Sequence, residues 1–339
     1  MNFAAKCQVI SPSVIVAIAI LAGTRQIPAA AQSATTEPTS APLTDSGDRA
    51  IGAGKIVALD YYCNHQMRNG TQAGYIWENT ENDGYSDFGE IWKRAGATLA
   101  RMEQAPSRKD LDRYSVYIIV SPSNQPASRG HPASRINSTA VDTIVSWVQD
   151  GGVIALFGNS KGKCDFDGLN ALSRYFGILF NNDLSSTFPK PGDSTVEYDG
   201  KQMATKPETI RFMGFPTRLD GLPDHEIFRG VKSVEIREFS TLTVSNEEHY
   251  SLLRESHDYT FKTPTRGQVS DVILDGVGRV ETVMATFRLG KGTAFAVGCP
   301  WLDNATLDLQ TPQGSDNRRM ASNLVRWLLK HCTELRAGG

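Results

Sequence analysis

The chain has 339 residues, with 35 basic and 37 acidic side chains, a net charge of −2 and no run of basic residues. That balance argues against a nucleic-acid partner, which needs a concentrated basic face. The length suffices for one large domain with a well-buried core.

The first ~31 residues read as an export signal. Lys6 opens a weakly basic start, residues 14–22 form a short apolar run, and Ala29-Ala30-Ala31 is a small-residue cleavage site. The run is too short to span a bilayer, so the expectation is a secreted or periplasmic protein with no membrane attachment after cleavage. Residues 1–31 hold Lys6 and Arg25 and no acid, leaving 33 basic and 37 acidic residues, a net charge of −4. Residues 32–54 are rich in Ser, Thr, Pro and Ala and read as a disordered leader. The remainder, 55–332, reads as a single α/β domain.

Lys55–Ser86 organises that domain. Ile56-Val57-Ala58-Leu59 is an unbroken apolar run, the pattern of a strand buried on both faces of a parallel sheet. A long polar and aromatic loop follows before a helix starts near Ser86, with Phe88, Ile91, Trp92 and Ala95 as its inner face. Such a connection normally takes 2–6 residues, and much longer ones are commonly functional. Ligands of open α/β sheets bind outside the carboxyl ends of the strands. This loop therefore supplies the first candidates for substrate binding: Tyr61, Tyr62, Asn64, His65, Trp77, Glu78 and Asn79.

The rhythm continues with strands at Ala97–Met102, Tyr114–Val120 and Val153–Phe157, and a polar connection at Pro106–Asp112. A helix capped by Ser138 or Thr139 carries Val141, Ile144, Val145 and Val148. Another begins behind Asp165 and runs over Phe166–Phe176. Strands alternating with helices imply right-handed crossovers and a parallel sheet covered on both faces. Residues 180–290 change character: short alternating runs such as Val234–Phe239, Thr241–Val244 and Val280–Phe287 read as an antiparallel, β-rich extension. The last unit is a strand, Gly292–Val297, a turn at Gly298-Cys299-Pro300-Trp301, and a helix over Arg318–His331.

Five segments carry a resemblance: LDYYCN, WENTENDGYS, WVQDGG before VIALFGN, IREFSTLTV and GKGTAFAVGCPW. Together they resemble the DUF4350-type domain found at the C-terminus of many bacterial unsaturated rhamnogalacturonyl hydrolases, over about residues 54–332. That domain is similar to the class I glutamine-amidotransferase-like fold, to β-galactosidase trimerisation domains and to ThuA-type trehalose-utilisation proteins. The stretch PDHEIFRGV resembles the H-P-I-x-x-G segment of the last group. The resemblance implies a flavodoxin-like α/β fold and a place in the breakdown of pectin- or rhamnogalacturonan-type polysaccharide. The hydrolases carry their catalysis on an all-helical toroid, for which this chain has no room, so their activity does not transfer.

Glutamine amidotransferases place a nucleophilic Cys on the turn after the fourth strand. Here that turn is Gly158-Asn159-Ser160-Lys161-Gly162, without a Cys, which argues against amidotransferase chemistry. Asn159 and Ser160 stand at its tip, and Ser160 with His65 is a weak nucleophile–base pairing. Asp60, Asp83 and Glu238 are the candidate catalytic carboxylates, since paired acids support glycoside cleavage. Trp301 and Asp303 complete the substrate-binding set. Val234, Ile236 and Glu238 would share one face of a strand, leaving an acid on an apolar side. Cys63 and Cys164 each follow a strand end and form the disulfide candidate. Neither Cys nor His spacing suits a metal, and no cofactor is expected.

The reading is therefore an exported saccharide-binding or accessory protein whose partner is an oligosaccharide or polysaccharide. The alternatives are a glycan-cleaving enzyme using rim carboxylates and a non-catalytic oligomerisation domain, in which the chain would be a homo-oligomer.

Overall fold

The computed structural model describes residues 51–64, 66–68, 71–124, 134–183, 195–198, 201–204, 217–219, 222, 224–244, 250–257, 261–262, 273–274, 279–307 and 316–332. Residues 1–50, where an export signal and most of a leader are expected, and His65 lie outside them.

The following strands build or flank a central sheet. These are β1 (Ile56–Asp60), β2 (Thr98–Met102), β3 (Val116–Val120) and β4 (Val153–Phe157), then β5 (Ile178–Phe180), β6 (Val234–Ile236) and β7 (Leu242–Val244), and finally β8 (Tyr250–His257), β9 (Arg279–Leu289) and β10 (Gly292–Val297). All but β6 join one sheet in the order β2-β1-β3-β4-β10-β9-β7-β5, with β8 paired to β9. The first five are mutually parallel, and their order is that of flavodoxin-like sheets. From β9 outward every pairing is antiparallel, so the β-rich extension continues the main sheet instead of forming a separate layer. Among the described residues β6 pairs with Thr217–Leu219.

Strand alternation divides the core in two. Val57, Leu59, Val116, Ile118, Val120, Phe157, Phe295 and Val297 point to one face. Helices α1 (Ser86–Arg94) and α4 (Asn317–Lys330) cover it with Phe88, Ile91, Trp92, Met320, Leu324 and Leu328. Ala58, Tyr117, Ile119, Ile154, Leu156 and Ala296 point the other way, under α2 (Ser138–Gln149) and α3 (Phe166–Ser173) with Val141, Ile144, Val148, Leu169 and Leu172. No described helix is long and apolar enough to cross a membrane.

Local details depart from the sequence expectations. The connection at Pro106–Asp112 contains a helical turn, Arg108–Leu111, capped by Ser107. Asn137, not Ser138 or Thr139, caps α2: its side chain accepts from the Ala140 amide at 2.9 Å. An amide oxygen there satisfies one of the unpaired N–H groups of the first turn. The expected strand at Val234–Phe239 stops at Ile236, because Glu238 adopts a left-handed φ of 27° and breaks the alternation. Phe239, not Glu238, rejoins Val234 and Ile236 in the core.

Candidate functional site

Asp60, Val120, Phe157 and Val297 all stand at the carboxyl edge of the parallel strands, so the residues after them leave the sheet together. Among the described residues three non-glycine residues are left-handed, and all belong to segments at this edge: Tyr75 (φ 54°), Ser121 (φ 44°) and Glu238 (φ 27°). Such conformations cost free energy and gather where a loop must hold a particular shape.

The loop after β1 is held by its own polar groups. The Tyr61 hydroxyl donates to Glu78 Oε2 (2.7 Å) and accepts from the Trp77 amide (2.8 Å). Burial and the neighbouring Glu78 carboxylate push that hydroxyl's pKa up. Asn64 is fully buried, donating to the Gly74 carbonyl (2.8 Å) and accepting from the Gln66 amide. Asn79 Nδ2 reaches the Ala73 carbonyl (2.6 Å) and Asp83 Oδ1 (2.9 Å). Glu78 is exposed and pairs with Arg101 at 2.6 Å. Tyr61, Asn64, Glu78 and Asn79, expected to touch substrate, thus shape the loop.

Both tryptophans belong to the core. Trp77, 7% exposed, packs on Tyr85 and Phe88 and donates to the Ala100 carbonyl. Trp301, 2% exposed, donates to the Glu235 carbonyl. Neither offers a face for a sugar ring. Tyr62 is half-buried beside the α2–α3 face.

Asp60 is displaced from the site by strand parity. It is completely buried on the α2–α3 face, where its carboxylate accepts from the Tyr117 hydroxyl (2.9 Å) and the Cys63 amide (2.9 Å). Burial pushes its pKa up to about 6, partly offset by the Tyr117 hydrogen bond. No solvent-reachable substrate meets it, so Asp60 is a structural acid. Cys63 and Cys164 are separate buried thiols, and the expected bridge is not formed. The Cys63 thiol turns instead to the Asp60 carboxyl, and burial raises both thiols' pKa values.

What converges on the α1–α4 side is a different set. The Tyr75 hydroxyl lies within hydrogen-bonding reach of Asn159 and within electrostatic reach of Asp303, Asp83 and Cys299. Burial is the largest influence on it and raises its pKa. Asp303, half-buried, follows β10 and accepts from the Thr306 amide at 2.8 Å. Burial pushes its carboxyl up to about 6; the Thr306 bonds and the Arg237 guanidinium pull the other way. Asp83 sits at the rim, paired with Arg68 at 2.9 Å. Asn159 donates to Ser121 Oγ (2.9 Å), Ser121 Oγ reaches the Lys163 carbonyl, and Lys163 pairs with Glu238. Ser160 is buried beneath this chain, its amide donating to Asn159 Oδ1. Among the described residues no group of three or more His, Cys, Asp or Glu is arranged to hold a metal.

The structure therefore joins Asp83, Asn159, Asp303 and, at the rim, Glu238, and leaves Asp60, Trp77 and Trp301 out. Tyr75 and Cys299 lie in the loops where the site is expected without being singled out as candidates, and Tyr85, Arg237 and Asn304 were not anticipated. Gly84 explains how the loop comes so close: a Cβ there would stand 1.8 Å from the Asn79 carbonyl oxygen.

No family model matches the chain, and no curated protein is similar to it at a significant level. Among solved structures, the N-terminal domain of mmIFT52 matches 81% of this chain and 97% of its own, at 15% identity and a TM-score of 0.50. A putative ThuA-like protein from Bacteroides uniformis matches 82% of this chain and 92% of its own, at 12% identity and a TM-score of 0.43. A β-galactosidase from Bacillus circulans matches 82% of this chain at 11% identity and a TM-score of 0.41, but only 31% of the enzyme is covered. At such identities the likeness is one of fold alone, and the strand order of the parallel part is itself flavodoxin-like.

Proposed function

We propose that this chain is an exported, carbohydrate-associated protein that binds pectin- or rhamnogalacturonan-type oligosaccharides at the carboxyl edge of its sheet. The observation that supports the reading is the meeting of Tyr75, Asn159 and Asp303. They come from three segments far apart in sequence and bring a phenol, an amide and a carboxyl to one point. A few polar groups converging beside aromatic rings suit a ligand rich in hydroxyls. The DUF4350-type resemblance supplies the polysaccharide class.

One observation favours cleavage as a second reading. Asp303 has its pKa pushed up to about 6 and lies within electrostatic reach of the rim carboxylate Asp83. Two acids in unlike environments can divide the acid and base roles of glycoside hydrolysis.

Calorimetric titration with saturated and unsaturated oligogalacturonides, with product analysis on the same samples, tests both. Wild type is expected to bind without forming product, and Tyr75→Phe or Asp303→Asn to weaken binding about five- to tenfold, the worth of one net hydrogen bond. Product that disappears in Asp303→Asn would make the protein a hydrolase or lyase. Absence of binding by wild type would end the saccharide reading.

A further inference from the structure

A cavity lies at the amino edge of the sheet, on the α1–α4 face and away from the strand-end loops. It holds about 270 Å³, far more than a single water needs. Its lining includes Thr286 and Arg288 of β9, Thr293 near the start of β10, Trp327 in the last turn of α4, His331 just after it, and His225. Strand register brings the first three together: Thr293 stands directly opposite Arg288, and Thr286, two residues earlier, points to the same face. Both imidazoles rest against Trp327, with ring centroids 4.3 Å away for His331 and 5.9 Å for His225.

The backbone fixes what each imidazole presents to the cavity. His225 Nδ1 accepts from the Ile227 amide at 3.2 Å, capping the turn Glu226–Phe228, so the neutral ring carries its proton on Nε2. Burial lowers the His225 pKa, which keeps the ring in that form at neutral pH. His331 Nδ1 lies 2.7 Å from the Trp327 carbonyl, which can only accept. Nδ1 therefore donates, and the neutral ring keeps a lone pair on Nε2.

These polar groups are left without protein partners. Among the described residues the Thr286 and Thr293 hydroxyls, the Arg288 guanidinium, the Trp327 indole N–H and both histidine Nε2 atoms make no hydrogen bond or ion pair. Thr286 and Thr293 are nevertheless buried, at 6% and 3% exposure. Buried polar groups are as a rule hydrogen-bonded. None of the described lining residues is acidic, and Glu226, next to His225, is taken up by Lys330 at 2.5 Å. The cavity thus offers several donors, one fixed positive charge and one acceptor. A carboxylate near neutral pH has no hydrogen to give His331. A phosphomonoester, with its second pKa near 6, is partly protonated there and brings acceptor oxygens together with one P–OH donor.

We propose that this cavity is a second ligand site that takes a phosphoryl group, as free phosphate or as a small phosphomonoester. Arg288, His225 Nε2–H, the Trp327 indole and the two threonine hydroxyls donate to its oxygens, and His331 Nε2 accepts from the protonated one. The site is independent of the saccharide reading and lies at the other edge of the same sheet.

Calorimetric titration of the full chain at constant ionic strength tests it, with inorganic phosphate, glycerol 3-phosphate, sulfate and acetate as probes. Saturable binding of phosphate or its ester is expected, with tighter binding of the ester marking it as the source and tighter binding of the free ion marking phosphate itself. Sulfate, fully ionised and of the same shape, should bind about five- to tenfold more weakly, the worth of one hydrogen bond. His331→Phe, which keeps a ring on Trp327, should bring phosphate and sulfate together. Arg288→Gln, at an exposed position, should weaken phosphate about tenfold or more, and Thr293→Val several-fold. No saturable binding of either phosphate, phosphate bound no more tightly than sulfate or acetate, or an affinity unchanged by both Arg288→Gln and Thr293→Val overturns the proposal.

Discussion

Asn304→Ala is expected to cost about 2–4 kcal/mol of stability and to loosen the loop that carries Tyr75. Asn304 is buried, and its Nδ2 donates to the Asn79 carbonyl (3.1 Å), the Glu81 carbonyl (2.8 Å) and Ser86 Oγ (3.1 Å). Its Oδ1 accepts from the Asp87 amide at the start of α1 (3.1 Å). Its own amide donates to Gly84, and that of Ala305 to Asn82, so the turn after β10 is laced to the loop after β1. Alanine leaves those carbonyls under-satisfied in a buried place. Asn304→Asp, nearly isosteric, should be at least as damaging, because a carboxylate would face two carbonyl oxygens. Denaturant titration measures the loss. Hydrogen exchange locates it at the Tyr75 and Tyr85 amides, which bond Asp83 and Ile76 within the loop. A loss under 1 kcal/mol with unchanged exchange would mean the loop is held by other contacts.

The second large effect is a gain. Asp60→Asn should stabilise the protein by roughly 1–3 kcal/mol at pH 8 and by nothing at pH 4. The folded carboxyl titrates near 6, above its ordinary value of 3.8. A carboxyl raised in this way favours folding only while protonated. Its contribution is complete below about pH 4 and is lost as the pH rises through 6. Asparagine stays neutral throughout. Its oxygen can accept from the Cys63 amide, and its nitrogen can donate to the Tyr117 hydroxyl, which turns to accept. Asp303, raised in the same direction, leaves a residual decline over the same interval in the variant. Thermal unfolding from pH 4 to 8 measures the difference. A variant less stable than wild type at pH 8 would show that the buried carboxylate is held ionised. Because Asp60 faces α2 and α3, oligosaccharide binding should be unchanged.

The sheet was legible because its strands are continuous apolar runs ended abruptly by polar residues, as in Val153–Phe157 before Gly158. The carboxyl edge as the place of the site was legible for the same reason. Which strand-end residues belong to it was not. Asp60 follows the apolar run just as a site acid would, yet it falls on the far face by one step of alternation. Glu238 was assigned to the apolar face on an assumed unbroken strand, and a left-handed residue at that very position cancels the assumption. Trp77 and Trp301 lie among polar residues in sequence, but the loops fold over them and make them core. Arg237, Tyr85 and Asn304 carried no local signal: Asn304 meets its partners across more than 200 residues, and Tyr85 reads as part of a turn leading into α1.

Hydrogen–deuterium exchange with and without trigalacturonate tests the central claim most directly. Binding at the carboxyl edge predicts protection in residues 74–86, 158–163 and 299–306, with little change elsewhere. Protection confined to the opposite edge, around the cavity lined by His225, Trp327 and His331, would contradict it.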